Sequence, residues 1–210
     1  MRFFILFFFV FNSLFSFSQS RRIVFKTEFG SIKVMLYDFT PQHRDLMLKS
    51  ISDSIYQRAL FNRIIENFVV QGGEHDIDIA KREAAVPDGK KPRIAAEFDE
   101  RAFHKMGALG QGRDDNPAKA SFLNQIYFVV GKNITEEDLN KLENQKGKKF
   151  TSAQRAEYLL NGGLPRLDGD YTVFGEITEG LDVIMAISKL KTDKQDFPLS
   201  PVSFSVQIIE

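Results

Sequence analysis

Residues 59–74 (ALFNRIIENFVVQGGE) set one guanidinium, Arg63, among apolar and β-branched neighbours, and end in an amide followed by two glycines, Gln71-Gly72-Gly73. Burying a charge in so apolar a run is costly unless the charge has a partner or a task. As a plain structural feature, Arg63 would be one half of an ion pair on a strand. As a chemical group, it is a permanently charged, rigidly forked hydrogen-bond donor.

Other chemistry is sparse. The chain has 210 residues and no cysteine, which removes disulfides, thiolate nucleophiles and cysteine zinc sites. His43, His75 and His104 do not pair at metal-ligand spacing and are read as surface or loop residues. Asp114-Asp115-Asn116 lacks the ligand pattern of an EF-hand loop and reads as a solvated turn. No phosphate-cradling loop and no nucleophilic triad stands out. No metal and no cofactor is therefore expected. Lysine plus arginine and aspartate plus glutamate number 28 each. That balance gives no reason to expect nucleic acid or an anionic membrane surface as a partner.

The elements that must position Arg63 are mostly strands. Residues 21–28 and 31–37 are β-branched and aromatic-rich around Gly30 and predict a hairpin. Thr40-Pro41 opens a helix to about Ser54, with Thr40 as N-cap and Pro41 at its first position. Strands are expected at 56–65, 68–71, 105–109, 124–130, 171–177 and 203–209, and a helix at 180–190. Residues 76–99 and 110–120 read as polar loops. Between them and the last strands, 133–160 predicts two short amphipathic helices, the second opening on a capping box, Thr151 to Gln154. Many strands with few helices suit a closed barrel or a sandwich, and composition does not choose between them.

The N-terminus reads as an export signal. Met1-Arg2 is followed by an apolar run at 3–15 and small residues at 16–20, the order of a secretory signal peptide. The prediction is a signal at 1–20, cleaved after Ser18 or Ser20, and a single domain at 21–210 outside the cytoplasm, in a periplasm or beyond. The run is short of the roughly 20 apolar residues of a spanning helix. An uncleaved anchor is the alternative. No later segment is long and apolar enough to span a membrane.

Read as a pattern, residues 61–74 (FNRIIENFVVQGGE) resemble the signature of the cyclophilin-type peptidyl-prolyl isomerases, close to F-H-R-[VI]-I-x-x-F-x-x-Q-G-G-D. Asn62 replaces the histidine and Glu74 the last aspartate. Residues 27–37 resemble the family's first hairpin, 124–128 (NQIYF) its S-Q-F-[FY]-I strand, and 167–175 (LDGDYTVFG) its L-D-G-x-[HY]-x-V-F-G. The resemblance covers 23–209 apart from 133–160, which looks like a helical insertion.

That resemblance implies a mainly β fold, a closed eight-stranded antiparallel barrel capped by two helices, here with an inserted helical pair. It implies prolyl isomerisation, with Arg63 as the catalytic group. Phe68, Val69, Tyr127 and Leu167 match the positions that line the proline pocket. Gln71 matches a glutamine that bonds the arginine and the substrate carbonyl, and Gln125 one that lines the groove. Gly112 and Arg113 match a pair that holds peptide through main-chain groups. Tyr171 stands where many members carry histidine. Phe122 and Leu123 replace small residues and are expected to reshape the pocket. Arg166 stands where cyclosporin-sensitive members carry tryptophan, and the chain has no tryptophan at all. The implied partners are proline-containing polypeptides and unfolded client proteins, handled by a monomer. A binding module with little turnover is the rival reading, and a scaffold that docks a partner on 133–160 a third.

Overall fold

The computed structural model describes residues 21–86 and 91–209, so the expected signal peptide lies outside the described residues. Eight antiparallel strands close into a barrel. In chain order they are β1 (Arg22–Thr27), β2 (Gly30–Leu36), β3 (Ala59–Ile65), β4 (Val69–Gly73), β5 (Ala108–Gln111), β6 (Gln125–Val129), β7 (Val173–Glu179) and β8 (Val202–Ile209). Around the barrel they run β1-β2-β7-β5-β6-β4-β3-β8. The sandwich that composition left open is thereby excluded.

The interior follows from period-two alternation, which sends every second side chain inward. Phe25, Phe61, Phe128 and Phe204 meet there, all essentially without exposure. Their ring centroids lie 5.0 Å apart for Phe25 and Phe128, and 4.5 Å apart for Phe61 and Phe204. Two helices pack on the barrel: α1 (Pro41–Ser52) against β7 and β8, and α5 (Leu181–Ile187) against β2.

Three further helices complete the described residues. The expected pair is present as α3 (Glu136–Lys146) and α4 (Ser152–Asn161), between β6 and β7 in sequence. Both open on capping boxes, Thr135 with Asp138 and Thr151 with Gln154. Leu139 and Tyr158 are buried between them with Ile134. Glu143 ties the pair together, accepting from Lys149 (2.7 Å), Arg155 (2.8 Å) and the Phe150 N–H (3.0 Å).

The fifth helix, α2 (Asp76–Ala84), corrects the sequence expectation of a loop over 76–99. Its only buried residue is Ile79, so no apolar stripe marks it. It is held by end effects instead. The His75 side chain accepts from the Ile77 N–H, Asp76 and Asp78 occupy the first turn, and Lys81 and Arg82 the last. That placement complements the helix dipole.

The start of α1 is also not built as expected. Thr40 precedes the helix, but its hydroxyl lies toward Tyr37 O at 3.5 Å and does not cap. The free amides of Gln42 and His43 donate to the Glu97 carboxylate, at 3.0 and 2.9 Å, from a segment more than fifty residues away. His43 is therefore not a surface histidine. It is buried, with Nδ1 2.7 Å from Glu97 and Nε2 3.1 Å from Ser121 Oγ.

Burial lowers the His43 pKa below its ordinary 6.5, and the hydrogen bond to Glu97 and its charge only partly oppose this. A base whose folded pKa is depressed is held neutral by the fold. Its stabilising contribution is complete above 6.5 and fades as pH falls through the depressed value. The expected result is a melting temperature that drops as the pH is lowered from about 6.5 toward about 4.5, before carboxylates protonate. Thermal melts of the wild type and His43→Asn across that window check it. An equal slope in both proteins would overturn the assignment.

Candidate functional site

Alternation that fills the barrel with Ile64, Val70, Ile126 and Phe128 leaves Val69, Gln71, Gln125 and Tyr127 on its outer surface. Arg63 needs one more device to join them. The register between β3 and β4 shifts between Phe61 and Arg63, so that Phe61 pairs with Gly72 and Arg63 with Gln71. Such a bulge flips the parity of a strand. Phe61 and Ile64 both point inward, and Arg63 points out. The extra residue, Asn62, is buried and donates to Gly73 O at 3.0 Å.

The result is a transverse row on the outer wall, Arg63 opposite Gln71, Gln71 opposite Tyr127, and Tyr127 opposite Gly110. It floors an open cavity of about 620 Å³. All ten site residues expected from the sequence border that one cavity: Arg63, Phe68, Val69, Gln71, Gly112, Arg113, Gln125, Tyr127, Leu167 and Tyr171. Phe122 lines it too, whereas Leu123 does not.

Arg63 is about one-third exposed, with Nε 3.6 Å from Asp196 Oδ2. Asp196 is fixed by its own carbonyl, which accepts from the Ile64 N–H at 2.9 Å. The implied hydrogen bond from Gln71 to Arg63 is not formed; the guanidinium turns toward Asp196 instead. Gln71 faces the cavity with its side-chain amide unpartnered among the described residues. Leu167 sits in a short 3-10 turn, Pro165–Leu167, and packs with Val69 and Tyr127 in an apolar cluster outside the barrel core. The Arg166 guanidinium lies over the Phe68 ring at 4.7 Å.

Gly112 is constrained by its neighbour. A Cβ there would stand 2.2 Å from Gln125 Oε1. Its absence lets Gln125 reach past and donate to Asp76 Oδ1 at 2.6 Å, joining β6 to α2. The Gly112 N–H and C=O are already committed, to Gln125 O and the Phe122 N–H, both at 2.8 Å. The Arg113 main-chain N–H and C=O have no partner among the described residues. The Arg113 side chain is nearly buried. It donates to Asp170 O (2.5 Å) and Asp114 O (2.7 Å), and lies over the Tyr171 ring at 4.5 Å.

One wall escaped sequence reasoning. Asp76, Ile79, Ala80 and Glu83 of α2 close the far end of the cavity, with Arg93 and Asp114. Arg93 pairs with Glu83 and with Asp114 (3.0 Å) and lies over Phe122 at 4.4 Å. The Glu74 carboxylate, in the aspartate position of the signature, takes a two-pronged contact from Arg82 at 2.8 and 2.9 Å. The acid-first, base-last order of 76–82 was the available signal for this helix. Among the described residues, no group of three or more acidic or histidine side chains could hold a metal ion.

The family described as cyclophilin type peptidyl-prolyl cis-trans isomerase/CLD matches residues 22–207. A peptidyl-prolyl cis-trans isomerase of Acinetobacter baylyi is 26% identical over 189 residues, 87% of this chain and 82% of that protein. Among solved structures, a cyclophilin-type isomerase of Cryptosporidium parvum superposes with a TM-score of 0.63 at 16% identity, over 91% of this chain and 99% of that one. The same protein solved in the presence of the dipeptide Ala-Pro superposes with a TM-score of 0.62.

Proposed function

The chain belongs to the cyclophilin-type peptidyl-prolyl cis-trans isomerases, and from that premise we propose that Arg63 drives rotation about Xaa-Pro bonds held in the cavity it borders, in the service of proteins folding outside the cytoplasm. Rotation about a peptide bond meets about 18–20 kcal/mol because the nitrogen lone pair is delocalised into the carbonyl. No covalent step is needed. The catalyst must bind the twisted amide better than either planar form. In the twisted state the prolyl nitrogen becomes pyramidal and regains its lone pair. A guanidinium N–H aimed at that nitrogen finds a strong acceptor only then, which is preorganised electrostatic stabilisation.

The observation that carries this reading is the row of Arg63, Gln71 and Tyr127 across three strands. It sets a cation, a free amide and an aromatic wall side by side. Asp196 engages Arg63 through Nε, which leaves the terminal guanidinium nitrogens available to substrate. In this reading Phe68, Val69, Tyr127 and Leu167 receive the proline ring, and Gln71 bonds the carbonyl before it. The open N–H and C=O of Arg113 pair with the peptide main chain, and Gln125 and Tyr171 border the groove. Exchange NMR on a short Xaa-Pro peptide tests it. A rate no higher than background with the wild-type protein would overturn it in favour of the rival reading, a proline-segment binding module. The side chain of Arg113, pinned over Tyr171 in the cavity lining, is what favours that rival.

Export is tested separately. The mature protein recovered from an extracytoplasmic fraction should begin at Gln19 or Arg21, and an intact Met1 would contradict cleavage.

Arg166 also gives an expected result. With a guanidinium over Phe68 in place of an indole, cyclosporin should inhibit weakly. Arg166→Trp should lower the inhibition constant by about tenfold or more, the effect of adding a tryptophan anchor. A submicromolar constant for the wild type would contradict this.

A further inference from the structure

His104 is expected from sequence to be a surface or loop residue; it lies in a loop, but the fold buries it almost completely. It stands in the middle of a chain of four polar side chains. Its Nε2 lies 2.8 Å from the Tyr127 hydroxyl. Its Nδ1 lies 2.7 Å from Asp168 Oδ1, which also accepts the His104 main-chain N–H at 2.9 Å. The other Asp168 oxygen accepts the Tyr158 hydroxyl at 2.6 Å. One end of this chain, Tyr127, is a wall of the substrate cavity. The other end, Tyr158, belongs to α4 and is buried in the core of the helical pair.

The proton count follows from the acceptors. An Asp168 carboxylate that takes three donors requires a proton on His104 Nδ1. In the neutral ring Nε2 then carries a lone pair, and the Tyr127 hydroxyl donates to it. Every link in the chain is directional, so the Tyr127 ring has one orientation. The barrel packs closely against the ring in that orientation. A Cβ at Gly110 would stand 2.3 Å from Tyr127 Cζ and 2.4 Å from its oxygen, so β5 passes bare against the ring. The His104 ring lies 8° from parallel to it, and the Tyr171 ring meets it edge-on at 6.2 Å. At the far end Tyr158 is gripped between Phe103 and Phe150, both edge-on, at 5.4 and 5.8 Å.

We propose that His104 and Tyr158 are positioning residues of the isomerase, which act through Asp168 and Tyr127 to hold the proline-facing wall, and that the α3–α4 pair is thereby part of the support of the site. The proposal rests on the reading of the cavity as the isomerisation site. Tyr158 does not line the cavity, so its effect on turnover is expected to travel along the chain.

A double-mutant cycle tests it. Tyr158→Phe should lower kcat/KM for an Xaa-Pro peptide about tenfold, the scale on which a slightly misplaced binding group acts. In a Tyr127→Phe background, where the last link is already cut, Tyr158→Phe should cost nothing more. The same fold-loss in both backgrounds, or no loss in the wild-type background, would overturn the proposal. A second measurement needs no variant and no turnover. In the 15N spectrum of the histidine rings, His104 should carry a proton on Nδ1. A proton on Nε2 alone would overturn the chain even if the variants fail to fold. An inactive wild type with the Nδ1–H signature present would instead remove the functional reading and leave the chain.

Discussion

Arg63→Ala should lower kcat/KM for a short Xaa-Pro peptide by about 10²–10³-fold, the cost of removing one preorganised donor from a site proposed to stabilise a transition state electrostatically. The reasoning is local. No other cation occupies the position that Arg63 takes beside Gln71. Arg113 is committed to two carbonyl oxygens and to the Tyr171 ring, and Arg93 to Glu83 and Asp114. Arg166 is turned onto Phe68. The loss should fall mainly on the rate within the bound complex, because the donor matters only when the nitrogen is pyramidal. Stability should hardly change, since the one ion pair of Arg63 among the described residues is more than one-third exposed on both sides and such pairs contribute about 0–1 kcal/mol. Exchange NMR at saturating peptide, with a thermal melt alongside, separates the two. Equal exchange rates for wild type and variant would remove Arg63 from the mechanism. Arg63→Lys should recover little, because a point charge lacks the fork that lets Nε meet Asp196 while the terminal nitrogens face the substrate.

Phe128→Ala should cost about 3–5 kcal/mol of folding stability. Phe128 is on the inward face of β6 with no exposure, and Phe25 and Phe61 pack edge-on against it at 5.0 and 6.3 Å. The closed barrel around it is hydrogen-bonded on every side and cannot collapse into the space. Against the 5–15 kcal/mol typical of a whole domain, that is a large fraction. Urea titration should show a lower midpoint with an unchanged slope. Because Tyr127 is the next residue on the same strand, facing the other way, kcat/KM should also fall in the folded fraction. A midpoint within error of wild type would mean that the interior repacks.

The parts of this molecule that were legible in the sequence are those written into contiguous segments. The strand with Arg63 carries its own geometry, as do the hairpin around Gly30 and the capping box Thr151 to Gln154. Ten of the cavity's members were readable because they lie in or close to short patterned runs, whereas the α2 wall was not. What was not readable depends on residues that meet only after folding. Glu97 caps α1 from more than fifty residues away. Asp196 turns Arg63 from Gln71. His104 finds Asp168 and Tyr127 only once β5, β6 and the 3-10 turn are in place. The α2 helix was lost for a different reason. Its cohesion is electrostatic and its apolar face is a single residue, Ile79, so periodicity had nothing to register.

The ring of strands has a consequence for the company this protein keeps. β1 is paired on both sides, with β2 and with β8, and the circuit closes without a terminal strand. A catalyst proposed to work among incompletely folded chains meets many segments ready to extend any sheet they touch. An open sheet would offer them a row of unpaired amides and carbonyls and would risk co-aggregation. Here the barrel has no such row to give, and the proposed grip of the Arg113 main-chain pair on one peptide link would not template the next.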